Sequence, residues 1–137
     1  MTIMSQYVIH EHLALRAGKH WDLRIQIPRK RLLASWALPK SYIPTKYGEK
    51  VLAVRGHDHG AYWLYFEGSI PKGEYGAGTI KILEKGTLEV LGWSDRFWTI
   101  IGNGNLFQGR YHLTKFKPKE KKTDTWILLK GHDNERG

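Results

Sequence analysis

The residues best suited to chemistry lie in the segment His20-Trp-Asp-Leu-Arg-Ile-Gln-Ile27. Read as a strand, it alternates its side chains, so His20, Asp22, Arg24 and Gln26 share one face and Trp21, Leu23, Ile25 and Ile27 the other. The apolar face is core. The polar face presents an imidazole, a carboxylate and a guanidinium within about 14 Å, at roughly 3.4 Å per residue. Neutral imidazole plus carboxylate suits a divalent transition metal, while a guanidinium grips phosphate or carboxylate oxygens with two parallel bonds. In Tyr7-Val-Ile-His-Glu-His12, His10 and His12 also share a face, and a hairpin would bring them beside His20. Gly56-His-Asp-His59 adds two further imidazoles near a turn, so five of the seven His fall in three short segments.

A lone strand histidine is more often an ordinary hydrogen-bonded residue, and His112 and His132 are read that way. Asp22 with Arg24 also fits a plain ion pair. His12, His20 and Asp22 together favour a site, because polar groups on the hidden side of a core strand need a reason. Two metal chemistries fit them. His20-x-Asp22 with a distant His matches the facial triad of non-haem iron oxygenases, and the same set fits a divalent ion acting as a Lewis acid on phosphate. Arg24 and the basic charge tilt the balance toward phosphate.

The elements that position these groups are strands. Period-2 alternation recurs along the chain, and no segment sustains a helical apolar stripe for three turns. The pattern predicts strands over 7–12, 20–27, 32–37, 51–55, 61–66, 78–84, 87–91, 105–107, 111–116 and 125–130. Turn chemistry appears at Pro28-Arg-Lys, Glu84-Lys-Gly86, Gly102-Asn-Gly104 and Gln108-Gly109. Without amphipathic crossover helices the strands cannot be parallel, which leaves an antiparallel barrel or sandwich. Residues 40–50 read as a polar loop. The Gly-rich stretch 68–78 reads as a tight corner, because it lacks the GxxxxGK[ST] spacing of a phosphate cradle. The segment KFKPKEKK, residues 115–122, reads as a solvated loop as readily as a binding patch.

Composition bounds the rest. The 137 residues fit one domain, and 22 Lys plus Arg against 13 Asp plus Glu give a net charge of +9, which points to an anionic partner. With 41% hydrophobic and 12% aromatic residues the chain has material for a core. No apolar run approaches the roughly 20 residues of a membrane-spanning helix. The opening residues lack a signal-peptide pattern, so cytoplasmic residence is the expectation. Zero Cys excludes disulfides and thiolate metal sites.

The motifs, taken in order, resemble a known family. YVIHEH at 7–12, HWDLRI at 20–25, SWALPK at 35–40, VLAV at 51–54, DH at 58–59, FEGSIPKGEYGAGTI at 66–80 and TWILLK at 125–130 resemble the 3′-phosphoesterase domain of bacterial DNA ligase D and its freestanding archaeal and bacterial forms. The resemblance implies a mostly β fold, a single compact antiparallel β-barrel with little helix, over residues 1–137. It implies manganese or a similar divalent ion, and DNA or DNA–RNA primer-template 3′ ends as substrate. A terminal ribonucleoside would leave by a phosphodiesterase step and the remaining 3′-phosphate by a phosphomonoesterase step. His12, His20 and Asp22 resemble the family's metal ligands, and Arg24 and His59 its phosphate-contacting pair. Lys40, Lys50 and Arg55 are candidate strand-backbone contacts. Three positions depart from the pattern: His10 stands where a Gln is usual, Trp63 where a phosphate-site Tyr is usual, and Val51 where an Arg is usual. Lys50 and Arg55 are candidate stand-ins for that Arg. A catalytically silent 3′-end-binding module is the alternative. A separate ligase, end-joining factors and nucleoid association follow from the same resemblance as expectations.

Overall fold

The computed structural model describes residues 2–116 and 124–133. Alternating apolar residues build β1 (Ile3–Ala14), β2 (Gly18–Gln26), β3 (Leu32–Leu38), β4 (Lys50–Arg55), β5 (His59–Gly60), β6 (Gly68–Ile70), β7 (Gly78–Trp93), β8 (Phe97–Asn103), β9 (Gln108–Lys115) and β10 (Thr125–Lys130). Neighbours run β1-β2-β3-β4-β10-β9-β8-β7, and a further β1–β7 ladder returns to the start. Eight strands therefore close on themselves, all antiparallel, which leaves the wall without an open edge. The mostly β, antiparallel barrel expected from the sequence is the observed fold. Only Lys115 and Phe116 of the Lys-rich segment lie within the described residues. No helix among the described residues is long and apolar enough to cross a membrane.

All eight wall strands send side chains into one buried cluster, so that cluster fills the lumen. Trp36 anchors it, meeting Trp98 and Trp126 edge-on at centroid distances of 5.7 and 5.4 Å. Residues of opposite parity on β1 and β3, Val8 and Leu33, face outward and pack with Leu64 in a separate buried cluster. The wall formed by β1, β2 and β3 is thus covered on both sides.

Four local expectations change. Residues 61–66 form a 3-10 turn, Ala61–Leu64, instead of a strand. An aromatic-rich run favours a strand, but here Leu64 and Trp63 both turn onto the outer wall, which a period of two forbids. Glu84-Lys-Gly86 is strand interior, not a turn, because β7 runs unbroken through it. Gly86 answers a packing need: a Cβ there would meet the Tyr7 ring at 3.2 Å. Residues 97–103, where the sequence pattern predicts no strand, form β8, and 105–107 belong to the loop that joins it to β9. Gln108-Gly109 opens β9 instead of ending a strand, with Gly109 at φ +90.

Glu84 organises that β8–β9 loop. Its carboxylate accepts the backbone N–H groups of Asn105, Leu106 and Phe107 at 2.8, 2.9 and 3.0 Å and the Tyr7 hydroxyl at 2.7 Å. Partial burial alone would raise its pKa, but these donors outweigh burial and hold it below the usual carboxylate range. Because the folded-state pKa is depressed, the stabilisation is present above about pH 4.3 and fades as pH falls through the folded value. Glu84→Ala is expected to cost about 2 kcal/mol at neutral pH, with the gap narrowing in acid. Urea unfolding of both proteins at neutral and acidic pH checks this; equal midpoints at neutral pH would refute it.

Candidate metal centre

Register assembles the site on the outer face of the wall. Across β1 and β2, His12 lies opposite His20 and His10 opposite Asp22; across β2 and β3, Arg24 lies opposite Ser35. The short β5 pairs His59 with Leu33 and brings a third chain segment alongside. Residues 57–76 roof this face. Their contacts to the wall groups are the His59 ring, the Trp63 ring and the backbone carbonyls of Phe66 and Gly76. Outward-pointing His10, His12, Asp22, Arg24 and Ser35 are consequently buried, although they lie outside the lumen.

His12, His20 and Asp22 each offer one ligand atom, and the three atoms lie within 4.8 Å of one another. His12 Nδ1 and His20 Nε2 are each 3.3 Å from Asp22 carboxylate oxygens, on opposite sides of the carboxylate. The far nitrogens are engaged elsewhere. His12 Nε2 donates to the Gly76 carbonyl at 2.7 Å and His20 Nδ1 to the Gly18 carbonyl at 3.3 Å. Each far nitrogen keeps its proton on that carbonyl, so the near nitrogen donates to Asp22 when the ring is protonated and carries the lone pair when the ring is neutral, the form a metal-binding histidine needs. This donor set of two nitrogens and a carboxylate fits a divalent transition ion.

His10 is arranged differently. Its Nε2 donates to the Phe66 carbonyl at 3.0 Å, and its Nδ1 accepts from Arg24 Nε at 3.1 Å. Both nitrogens are committed, so His10 positions Arg24 and has no lone pair left for a metal. Burial and the Arg24 charge push its pKa down to about 4, which keeps it in this neutral form.

Arg24 is the hub. Only 4% exposed, it donates from Nε to His10, from Nη1 to Ser35 at 3.1 Å and toward His59 Nε2 at 3.5 Å, and from Nη2 to Asp22 at 3.2 Å, which leaves one of its five N–H groups. The Trp63 ring covers it with 5.2 Å between guanidinium carbon and ring centroid, so Trp63 contributes a cation–π face where a hydroxyl was expected. Burial alone would raise the Asp22 carboxyl's pKa; bonds from His12 and His20 and the Arg24 charge outweigh it and hold that pKa far below normal. His20 moves up through its bond to Asp22. His59 moves down through burial and the Arg24 charge. Its Nδ1 donates to the His57 carbonyl at 2.8 Å, which leaves Nε2 as the acceptor, 3.5 Å from Arg24 Nη1.

The structure thus gathers His10, His12, His20, Asp22, Arg24, His59 and Trp63 into one cluster. Arg55 lies outside it. Its guanidinium caps Trp36 at 4.7 Å and Trp126 at 5.5 Å and pairs with Asp58 at 3.2 Å. Val51 packs against the lumen cluster, so the position where an Arg was expected faces the barrel interior. Lys40 and Lys50 are exposed and make no hydrogen bond or ion pair to the cluster among the described residues. Residues 10–132 match the family described as the DNA ligase D 3′-phosphoesterase domain.

The chain belongs to the DNA ligase D 3′-phosphoesterase domain family. It is 46% identical over 126 residues to the multifunctional non-homologous end joining protein LigD of Mycolicibacterium smegmatis, covering 84% of this chain and 16% of that protein. It is 32% identical over 139 residues to the protein of the same description from Pseudomonas aeruginosa, covering 98% of this chain and 16% of that one. A Mycobacterium bovis relative of that description is 39% identical over 115 residues, covering 81% and 14%. The chain therefore spans about one sixth of these relatives.

Sequence reasoning missed the groups that orient this phosphoesterase-domain site. Ser35 sits in the SWALPK motif, but only the β2–β3 register reveals that it meets Arg24. The Gly18, Phe66, Gly76 and His57 carbonyls are backbone atoms, which residue types cannot disclose. The positive φ of Gly76, +76, was the one available signal, because it marks where the Gly-rich corner turns against His12. The His10 geometry makes a firm prediction. His10→Ala strands a buried Arg24 donor and is expected to destabilise the fold by about 2 kcal/mol. His10→Gln keeps one donor and one acceptor and should retain most of that stability. Thermal melting of the two variants decides, and equal losses would refute the assigned roles.

Proposed function

We propose that this chain is a divalent-metal-dependent phosphoesterase that trims 3′ ends of DNA or DNA–RNA strands for non-homologous end joining. The observation that carries the reading is the triad His12, His20 and Asp22, with its nitrogens pre-aimed by the Gly76 and Gly18 carbonyls, beside a guanidinium. Manganese or a similar ion, held by those three residues, would supply Lewis-acid polarisation of a phosphoryl oxygen. Sulfur-free nitrogen and oxygen donors suit that choice. In this reading the catalytic residues are His12, His20, Asp22, Arg24 and His59. Arg24 turns its remaining Nη2 N–H, and the Nη1 N–H that otherwise faces His59, to the non-bridging oxygens and stabilises charge developing there. The site on His59 that can take up and release a proton is Nε2. In the free protein this nitrogen is an acceptor, and the negative charge of an incoming phosphate favours its protonation, so donation to the leaving oxygen is confined to the bound state. Water attacks phosphorus in each step: in the diesterase step the P–O bond to the terminal ribonucleoside breaks and the nucleoside leaves protonated, and in the monoesterase step the bond to the 3′-oxygen breaks, releasing inorganic phosphate and a 3′-hydroxyl. The 3′-hydroxyl so produced is the form a separate ligase seals in partnership with end-joining factors.

The test is a primer-template bearing one 3′-terminal ribonucleotide. Manganese-dependent release of the terminal nucleoside is expected, with a loss of about 100-fold or more in His20→Ala and Asp22→Ala. Full activity in both folded variants would overturn the assignment. One observation favours a second reading: Trp63 covers Arg24 without offering a hydroxyl, as in a catalytically silent 3′-end-binding module. Binding of the same primer without turnover under any divalent ion would decide for it. Lys40 and Lys50 act here as exposed groups that meet the strand backbone. Replacing either with Ala should weaken binding evenly across sequences and flatten the dependence of log affinity on log salt by about one unit for each phosphate no longer neutralised.

A further inference from the structure

An exposed aromatic pair stands at the rim of the site and is unused by the chemistry above. The Tyr75 ring is 77% exposed and meets the His57 ring edge-on, with 5.3 Å between centroids. Each partner is tied by its own stretch of backbone to a different half of the site. Gly76, next to Tyr75, receives the His12 Nε2 bond, and the His57 carbonyl receives the His59 Nδ1 bond. The pair therefore bridges the metal-binding half and the phosphate-binding half. A large ring left this open to water has no packing reason to be there, and glycines at φ +95 and +76 flank it closely, at Gly73 and Gly76, to shape the loop that presents it.

We propose that Tyr75 and His57 form a stacking platform for the nucleobase of the strand's terminal nucleoside, a base-tolerant specificity element beside the scissile phosphate. The proposal rests on the 3′-end phosphoesterase reading. It predicts tolerance of any end sequence, since every base presents a π face and stacking reads none of its edges. It also makes the two residues positioning groups, because they hold the leaving nucleoside and touch no reacting atom.

The experiment compares two primers in manganese, one ending in an ordinary nucleoside and one ending in an abasic sugar, by anisotropy and by kcat and KM for end release. The wild-type protein is expected to prefer the base-bearing end by about tenfold in Kd and KM, with a smaller difference in kcat. In Tyr75→Leu and His57→Ala that preference should shrink toward one, whereas Tyr75→Phe should keep it. A 3′-terminal 2-aminopurine reports directly: its fluorescence should be quenched on binding to the wild type and Tyr75→Phe and not to Tyr75→Leu. Release of both ends with equal Kd and KM by the wild type would overturn the platform and leave the phosphoesterase intact. No binding or release of either end would overturn both.

Discussion

The outer face of the wall depends on one buried positive charge. Removing a guanidinium from water costs several kcal/mol unless its charge and its donors are met, and Arg24 is almost wholly enclosed. Asp22 supplies the opposite charge, His10 and Ser35 accept two further bonds, and Trp63 lays a π face over the plane. Each of those partners is then constrained in turn. His10 must be neutral with its proton on Nε2, which needs the Phe66 carbonyl, and this fixes where the roof crosses the wall. Asp22 must stay ionised, and its two oxygens hold His12 Nδ1 and His20 Nε2 at 3.3 Å on either side. The geometry of the candidate metal triad is thus the far end of a chain of compensations that starts at Arg24.

The lumen supplies the rigidity this chain requires. Side chains from all eight strands interlock around Trp36, so β1, β2 and β3 cannot shift relative to one another without breaking the core. Register is fixed twice over on these strands, by apolar side chains pointing in and by the polar cluster pointing out. A slip of one residue would bury His12 and Asp22 in the lumen and expose Ile9 and Leu23. The bulge between Ile9 and His10 in the β1–β7 ladder falls at the point where β1 passes from filling the core to serving the site.

Much of this was legible in the sequence because strand alternation is a local property. His20-x-Asp22-x-Arg24 and His10-x-His12 needed only the period of two to place each set on one face, and the antiparallel fold followed from the lack of crossover helices. What escaped was set by contacts distant in sequence. Residues 61–66 looked like a strand because aromatic residues favour one, but their packing partners, Val8 and Leu33, lie far back in the chain on a wall that rewards a tight turn. Glycines 86 and 102 looked like turn residues but lie inside strands, where the Phe107 backbone leaves no room for a Cβ at Gly102 and the Tyr7 ring crowds one at Gly86 at 3.2 Å. Arg55 and Val51 share a face as expected, but which face was the lumen became clear only when the barrel closed.

The roof over the site comes from a single continuous stretch of chain, between the end of β4 and the start of β7, and adds one short strand pair to β3 and another to β7. The wall supplies His10, His12, His20, Asp22 and Arg24, and this one segment supplies every backbone and aromatic group that clamps them from above, Phe66, Gly76, His59 and Trp63. An insertion or deletion between β4 and β7 would therefore disarrange the clamp while leaving the lumen packing around Trp36 intact.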